Sequence, residues 1–287
     1  MKQTISIIGA GRVGRTLGRR LRQLGWRIEA VVARSNAHAR KAVRFIGAGK
    51  PFARFDQGVF SARVLLLTTG DSVLASVAED LARISGRTLK GKVVLHTSGA
   101  LDSRVLRPLA RLGAATGSLH PMQTFSGKEP PNLTGVVFAI EGAPTARRVA
   151  GQIARELGGQ PVMIDPKAKV AYHAAGTLAA GHALAVMETA TQILTRAGFS
   201  RERALKALLP LTRQMLDNFK AAGPRAAWTG PLARNDYAIV SAHAKALRAY
   251  PREFQDAYAA LSLLSGRVLA GDAAAAIANI RRALRKS

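Results

Sequence analysis

A glycine-rich turn between a short apolar run and an amphipathic segment constrains the fold of this chain most strongly. The run Gly9-Ala10-Gly11-Arg12-Val13-Gly14 matches GxGxxG, and a second apolar run follows the helical pattern. In this order of strand, tight turn, helix and strand, the pattern binds a dinucleotide. Gly9 permits the turn, Gly11 lets the pyrophosphate approach, and Gly14 lets the helix pack against the sheet. We therefore predict cofactor contacts from Gly9, Ala10, Gly11, Arg12, Val13 and Gly14.

Apolar runs alternate with helical patterns through the first half of the chain, which is typical of a parallel sheet with helices on both faces. The predicted strands are Thr4–Gly9, Arg27–Ala33, a weak one near Pro51–Arg54, Val64–Thr68, Lys92–His96, Ala114–Leu119, Val136–Glu141 and Pro161–Ile164. The predicted helices are Val13–Leu24, Ser35–Phe45, Asp71–Arg83, Asp102–Leu112 and Pro144–Leu157, and Gly127–Gly135 is a predicted loop. The fold class is thus α/β, with a Rossmann-type, mostly parallel, doubly wound sheet.

After Asp165-Pro166 alanine and leucine dominate and β-branched runs disappear. The predicted helices there are Ala168–Ala197, Ser200–Ala221, Asn235–Arg248, Arg252–Ala270 and Asp272–Arg285. Glycine or proline interrupts the pattern between them, as at Gly223-Pro224. We therefore expect a nucleotide-binding domain over residues 1–165 and an all-helical domain over residues 166–287.

The end of the second predicted strand indicates which dinucleotide binds. An NAD enzyme usually has an acidic residue there for the ribose 2′-OH, whereas this chain has Arg34 and Ser35. A guanidinium can hold a 2′-phosphate through two parallel hydrogen bonds, and Arg12 adds a second positive charge. NADP(H) is therefore the predicted cofactor. Ser35 also suits the N-cap of the next helix, and both roles are compatible.

Polar residues follow three further strand ends, where ligands bind in such sheets. Thr69 and Ser98 are candidates for the nicotinamide side of the crevice, and Ser98 also for substrate contact. His120 precedes a proline at the next strand end and is a candidate proton donor. The alternative is that His120 holds the proline loop by a hydrogen bond.

The helical half offers two further candidates. His173 lies in a helical pattern of small residues, one turn after Lys169, and is either an acid or base or an interior packing residue. Arg234 and Asp236 open another helix after a Thr-Gly-Pro turn, where an anionic substrate group could bind. The alternative for this pair is a salt bridge and an N-cap. No His, Asp and Glu cluster has metal-ligand spacing, so no metal is predicted.

These segments resemble a bacterial family whose members join a Rossmann-like domain to a DUF2520 domain and are described as oxidoreductases. The resemblance extends from about residue 4 to the last helix, and its specific segments are Gly117–Phe125, Tyr172–Ala175 and Thr229–Asp236. The family is similar, more distantly, to 6-phosphogluconate dehydrogenase-like and pyrroline-carboxylate-reductase-like enzymes. Because the helical domain of those enzymes often forms dimers, the resemblance implies a dimerising helical domain. The chain departs from the family pattern at Gly181, where asparagine is usual.

Composition excludes several classes. With no cysteine there are no disulfides or thiolate sites, and no apolar stretch is long enough to span a membrane, so a cytoplasmic protein is expected. The 43 lysines and arginines against 17 acidic residues give a net charge of +26, which favours anionic ligands. The basic residues are scattered and aromatics make up only 5%, so a nucleic-acid partner is disfavoured.

We therefore expect an NADP(H)-dependent oxidoreductase that transfers a hydride to a carbonyl or imine carbon of a small, acidic substrate, as a homodimer. Two alternatives remain open at this stage. One is a protein that holds NADP(H) as a sensor or scaffold without turnover, which Gly181 favours. The other is a polyanion or nucleic-acid binder on the same fold, which only the net charge favours.

Overall fold

The computed structural model describes residues 3–86, 89–126 and 129–285. Of the predicted loop Gly127–Gly135, residues 127 and 128 lie outside this range. The chain divides into two compact units, Met1–Gly181 and His182–Ser287. The predicted domain boundary at residue 165 directly follows the sheet, whereas this division falls later and assigns the next helix to the first unit.

The first unit is built on one twisted sheet with helices on both faces. Within the described residues the strands lie in the order β3-β2-β1-β4-β5-β6-β7-β8, and all neighbours are parallel except β6 and β7. They are β1 (Thr4–Ile8), β2 (Arg27–Val32), β3 (Lys50–Phe52), β4 (Val64–Leu67), β5 (Val93–His96), β6 (Ala115–Pro121), β7 (Val137–Gly142) and β8 (Gln160–Met163). The predicted α/β class is confirmed, and the strand order reverses its direction between β1 and β4, where ligands bind in such sheets.

Two apolar clusters fill the space between the sheet and its helices. The helices of this unit are α1 (Arg12–Gln23), α2 (Asn36–Ile46), α3 (Asp71–Ser85), α4 (Arg107–Ala110), α5 (Pro144–Glu156) and α6 (Lys169–Thr177). One cluster joins the sheet to α1, α2 and α5 through residues such as Leu17, Ile46 and Ile153, and the other joins it to α3 through Leu74 and Leu81.

The predicted helix Asp102–Leu112 is shorter than expected. A 3-10 turn, Ser103–Leu106, comes first, and the four-residue α4 follows it. Pro108 has no N–H to donate to the carbonyl of Arg104, so a continuous α-helical ladder cannot pass this point. The Arg107 N–H bonds that carbonyl instead, which is the tighter i to i−3 pattern.

The second unit is helical throughout its regular structure. It contains α7 (Ala183–Arg196), α8 (Arg201–Ala227), α9 (Tyr237–Leu247), α10 (Arg252–Leu269) and α11 (Ala273–Arg285). Gly223 has φ 80° and ψ 175° and breaks α8 at the predicted Gly-Pro position. Between α6 and α7 a π-helical turn, Leu178–His182, interrupts the predicted helix Ala168–Ala197. In the described part of the chain, no helix is both long and apolar enough to cross a membrane.

Candidate functional site

A cavity of about 550 Å³ lies at the carboxyl ends of β1, β2 and β4. We call it the glycine cavity. It contains five of the predicted cofactor residues, namely Gly9, Ala10, Gly11, Arg34 and Thr69, while Arg12, Val13, Gly14, Ser35 and Ser98 are outside its lining. The complete lining is Gly9, Ala10, Gly11, Arg15, Ala33, Arg34, His38, Lys41, Ala42, Thr68, Thr69, Gly70 and Val73.

Each of the three glycines of the motif is suited to its position for a different structural reason. Gly9 has φ +99°, and a Cβ there would come within 2.7 Å of the Thr69 nitrogen. A Cβ on Gly14 would overlap Thr68 Oγ1, which donates a hydrogen bond to the Gly9 carbonyl. Gly11 meets nothing within 4 Å, so the backbone is open towards the cavity. Gly11 also has no side chain to cap α1, which leaves the first N–H groups of the helix available to a phosphate.

Several basic side chains line this cavity. Arg34 was predicted from the sequence, and Arg15, His38 and Lys41 join it in the lining. Ser35 is the N-cap of α2: its Oγ accepts a hydrogen bond from the His38 N–H and lies 2.8 Å from His38 Nδ1. Ser35 therefore orients His38 rather than lining the cavity. Four basic groups in one cavity favour a ligand with more negative charge than a pyrophosphate alone.

Two buried polar atoms in the lining residues also point to a ligand. Thr69 Oγ1 and Arg15 Nε have no hydrogen-bond partner among the described residues. A buried polar atom without a partner costs free energy, and a bound polar ligand would remove that cost. Together with the open backbone at Gly11, this arrangement fits an anionic dinucleotide. The sequence pattern could not identify Arg15, His38 and Lys41, because their spacing on α1 and α2 becomes meaningful only when the two helix starts are placed together.

A second cavity, of about 430 Å³, lies at the end of β6. We call it the histidine cavity. Its lining combines both candidate histidines with small and flexible side chains from the β6 end and from the α6 and π-helical run. These residues are His120, Met122, Gln123, Thr124, His173, Gly176, Thr177, Ala179, Ala180 and Gly181.

The structure brings His120 and His173 together beside Gly99. Their ring centroids are 5.9 Å apart and nearly perpendicular. A Cβ on Gly99 would lie 2.5 Å from His173 Cδ2 and 2.8 Å from His120 Nε2, so only glycine fits next to the two rings. Tyr172 Oη lies 2.9 Å from His120 Nδ1, in an edge-to-face arrangement. The sequence indicates Tyr172 only as part of a motif. Its contact with His120 could not be predicted, because the two positions are 52 residues apart.

A buried ion pair lies under this cluster. Lys169 is 1% exposed, and its Nζ donates to the Ser98 carbonyl at 3.0 Å and to Ser118 Oγ at 2.8 Å. Its Nζ is 3.8 Å from Glu141 Oε1. Glu141 is buried too and accepts hydrogen bonds from the Ser103 N–H and hydroxyl. This network holds the Ser98 turn in place, and the Ser98 Oγ, a predicted ligand contact, accepts from the N–H groups of the two residues after Gly99.

Burial and this positive charge shift the pKa values of the nearby groups. Burial lowers the pKa of His120 to about 4, and Lys169 and His173 lower it further. Burial, followed by the charge of Lys169, lowers the pKa of His96 to about 3. Burial also lowers the pKa of the Lys169 ammonium, against the effect of Glu141, and raises the pKa of Tyr172 to about 12. His120 is therefore neutral and Tyr172 protonated near pH 7.

The remaining predicted site residues belong to the second unit. Asp236 is the N-cap of α9, where its carboxylate accepts a hydrogen bond from the Ile239 N–H. Arg234 lies in the turn before it, and the two are separated by Asn235, which has a left-handed φ of 59°. The structure thus gives Asp236 the capping role that the sequence left as an alternative. Its contact with a substrate, and that of Arg234, stay predictions.

Two families of domains match the sequence, and together they extend over most of it. Residues 1–121 match the Rossmann-like domain, and residues 136–264 match a domain of unknown function, DUF2520. No curated protein matches the sequence. The residues around the two histidines come from both matched regions. Gly99 and His120 lie in the Rossmann-like match, and Glu141, Lys169, Tyr172 and His173 lie in the DUF2520 match.

Several solved structures share the fold at low sequence identity. A "putative NADP oxidoreductase" from Bacteroides fragilis is 22% identical, with a TM-score of 0.73 over 91% of this chain and 96% of its own. An imine reductase from Pseudomonas sp. is 22% identical, with a TM-score of 0.69 over 99% and 100%. A reductive aminase from Aspergillus terreus, in complex with NADPH and ethyl-5-oxohexanoate, is 17% identical, with a TM-score of 0.68 over 100% and 95%. The chain thus has, in order, a match to the Rossmann-like domain and a match to DUF2520, as in the family that its sequence resembles.

Proposed function

We propose that the protein is an NADP(H)-dependent oxidoreductase that transfers a hydride between NADPH and a carbonyl or imine carbon. The observation that carries the proposal is the presence, in one unit, of a glycine cavity suited to an anionic dinucleotide and a separate cavity that contains two histidines. The names of the structural relatives, which include NADPH-bound reductases, support the same reaction class.

The residues of the glycine cavity suggest how the cofactor is held. Gly9, Gly11 and the start of α1 would bind the pyrophosphate through backbone N–H groups. Arg34 would hold the 2′-phosphate, with Lys41 and His38 beside it. When bound, NADPH supplies the hydride, and the protein supplies orientation and a proton.

The histidine pair supplies the proton in this proposal. As the hydride adds to carbon, the π electrons of the C=O or C=N bond move to the oxygen or nitrogen, which then takes a proton. Because Tyr172 keeps its phenolic proton, it can donate to His120 Nδ1, which leaves the ring proton on Nε2. His120 Nε2–H beside Gly99 is thus our candidate donor: as Nε2 gives its proton to the substrate, Nδ1 takes the phenolic proton of Tyr172, which solvent then replaces. His173 is the second candidate.

The charge of the substrate is a separate matter. The net charge and Arg234 favour an acid, whereas the histidine cavity is lined, in the described structure, by uncharged aliphatic and polar side chains besides its histidines. We propose a small carbonyl or imine compound and keep the acidic substrate as the alternative. Reduction rates for pairs of ketones with and without a carboxylate decide between them.

Two measurements test the proposed function. NADPH should raise the melting temperature more than NADH at equal concentration, since a ligand that binds only the native state stabilises it. NADPH oxidation should then follow the addition of an aldehyde, ketone, keto acid or cyclic imine. Stabilisation by NADPH without turnover on any of these compounds would favour the sensor or scaffold alternative.

We further propose a cytoplasmic homodimer that associates through the helical unit. Large apolar side chains are exposed on that unit, among them Leu184 at 70% and Leu211 at 66%. Exposed apolar surface of this kind is typical of protein–protein interfaces. Light scattering on the purified protein measures the mass, and a monomer at micromolar concentration would argue against the dimer.

A further inference from the structure

One wall of the histidine cavity consists of small side chains on a helical run. Gly176, Thr177, Ala179, Ala180 and Gly181 line it from α6 and the π-helical turn, opposite Met122. A π-helical turn places one extra residue in the helix, and such turns are frequent at functional sites. The wall therefore combines small residues with a local change of helix geometry at one place.

The two glycines of this wall differ in what they permit. A Cβ on Gly176 would lie 2.9 Å from Met122 Sδ, so packing requires glycine there. A Cβ on Gly181 would meet only Thr177 Cγ2, at 3.9 Å, which is an ordinary contact, and its φ lies outside the left-handed region. Glycine inside a helix costs about 0.5–1 kcal/mol relative to alanine. Neither packing nor backbone geometry requires glycine at position 181, and because Gly181 lines the cavity, a larger side chain there would occupy space beside it.

The chemistry of the walls indicates what that space accepts. The side chains around it are mostly apolar or uncharged, and His120 is neutral because burial keeps its pKa at about 4. A charged group placed here would lose hydration without a charged partner from the lining. Met122, with its flexible thioether, can adapt to apolar groups of different shape. A volume of about 430 Å³ is within the range of small-molecule sites.

We infer that the histidine cavity binds an uncharged compound with a cyclic or branched apolar group, and that Gly181 determines this specificity by leaving room for that group. The inference rests on the proposed function for the reaction, whereas binding in the cavity can be measured without turnover. It assigns the reacting C=O or C=N to the side of the two histidines and the apolar group to the side of Gly181.

The test is an NMR titration of the full-length protein, with and without NADP⁺, that follows the ring resonances of His120 and His173. The chain has six histidines, and His→Gln variants assign these two. The probes are cyclohexanone and cyclohexanecarboxylate, which differ in charge at similar size. The variants are Gly181→Ala and Gly181→Leu, with Ala174→Leu as the control, because Ala174 lies exposed on α6 outside the cavity lining.

Cyclohexanone should shift both ring resonances, and the carboxylate should bind at least about tenfold more weakly. Gly181→Leu should weaken cyclohexanone binding by at least about tenfold, the range that a small change in an apolar pocket produces, with Gly181→Ala in between. Ala174→Leu should bind as the wild type does.

Equal binding in wild type and Gly181→Leu, tighter binding of the carboxylate, or no cyclohexanone binding overturns the inference. If NADPH fails to raise the melting temperature, the proposed function is wrong, while the titration without cofactor still decides about the cavity.

Discussion

His120 has the contacts of a proton donor that acts while neutral. Its Nδ1 faces Tyr172 Oη at 2.9 Å, and its Nε2 lies beside Gly99 and the cavity. Burial is the largest cause of the lowered pKa of His120, and the charge of Lys169 is the second. With a pKa of about 4, the imidazolium is scarce at pH 7, so activity that requires it would fall as the pH rises through about 4.

A matched pair elsewhere in the chain makes the role of this histidine testable. His243 Nδ1 and Tyr258 Oη are 3.0 Å apart with the same edge-to-face rings, in the second unit. His120→Ala should lower kcat by about 10²–10⁴-fold, and Tyr172→Phe by less, with NADPH affinity nearly unchanged. His243→Ala and Tyr258→Phe should leave kcat within a few-fold of wild type. Steady-state kinetics on a confirmed substrate measure these four variants and His173→Ala. If neither His120→Ala nor His173→Ala slows turnover tenfold, both histidines are structural.

The same pKa shifts predict an acid-sensitive fold. His96 and His120 are buried in the neutral form, so between their folded pKa values, about 3 and about 4, and the unfolded value near 6.5 the unfolded chain binds more protons. Their contribution to the free energy of unfolding is complete above pH 6.5 and is lost as the pH falls. The slope approaches about 1.4 kcal/mol per pH unit for each histidine. Urea unfolding at pH 7, 6 and 5 measures it, and His120→Gln should reduce the slope; an unchanged slope contradicts this assignment.

Arg34 is the residue on which cofactor preference should depend. It is exposed and lines the glycine cavity, where a guanidinium can bind a 2′-phosphate in a bidentate manner. The wild type should bind NADPH about tenfold or more tighter than NADH, since a charged hydrogen bond contributes about 1.5–3 kcal/mol. Arg34→Asp should reverse the order, whereas Arg40→Asp, which changes a nearby exposed arginine on α2 outside the lining, should not. Calorimetry gives the affinities of all three proteins for both cofactors, and equal wild-type affinities for NADPH and NADH would rule out the assignment.

At the scale of elements, the packing of α1 on the sheet depends on a glycine. Gly14 is buried, and a Cβ there would overlap Thr68 Oγ1 and the Gly9 carbonyl, which are joined by a hydrogen bond. Gly14→Ala should lower the free energy of unfolding by about 1–3 kcal/mol, as overpacked cores do. Gly70→Ala is the control, because a Cβ there meets nothing within 4 Å. Chemical denaturation measures both, and equal losses would show that α1 adjusts without cost.

The sheet could be predicted because each strand is a local apolar run with a turn on either side. All the strand ends in the described residues lie within two residues of the prediction, even for the short β3. The differences are in the helices, and they arise from single residues with non-local or subtle effects. Pro108 removes one hydrogen bond and splits a helix, and the π-helical turn before α7 leaves no mark in a helical pattern of small residues.

The site was harder to predict than the fold, because its contacts join distant positions. Glu141 was predicted only as the end of a strand, and its pairing with Lys169 follows from the antiparallel register that places it opposite Ser118. His120 and His173 were separate candidates, and Gly99 was not among the predicted site residues. No sequence spacing could predict that these three residues are in contact, because they are far apart in the chain. The glycine motif was recognisable because its function depends on residues that are neighbours in the sequence.

At the scale of the whole molecule, three features end the first part of the chain at different residues. The last strand, β8, ends at Met163, before the boundary predicted near residue 165. The compact unit continues to Gly181, since α6 supplies Lys169 to the buried network. The DUF2520 match begins earlier still, at residue 136, before β7. The network under the histidines therefore joins segments from both sides of the predicted boundary.

Two shortened chains distinguish these boundaries. A chain of residues 1–165 leaves the Glu141 carboxylate without Lys169, and breaking a buried ion pair typically costs about 3–5 kcal/mol. A chain of residues 1–181 retains Lys169 Nζ on the Ser98 carbonyl and Ser118, so it should melt at a higher temperature. Glu141→Gln should recover part of the deficit in 1–165, because a neutral amide leaves no unpaired charge, and should destabilise 1–181. Calorimetric melting of the four proteins measures these differences. Equal melting temperatures for 1–165 and 1–181 would show that the first domain ends with the sheet and that the ion pair contributes nothing to its stability.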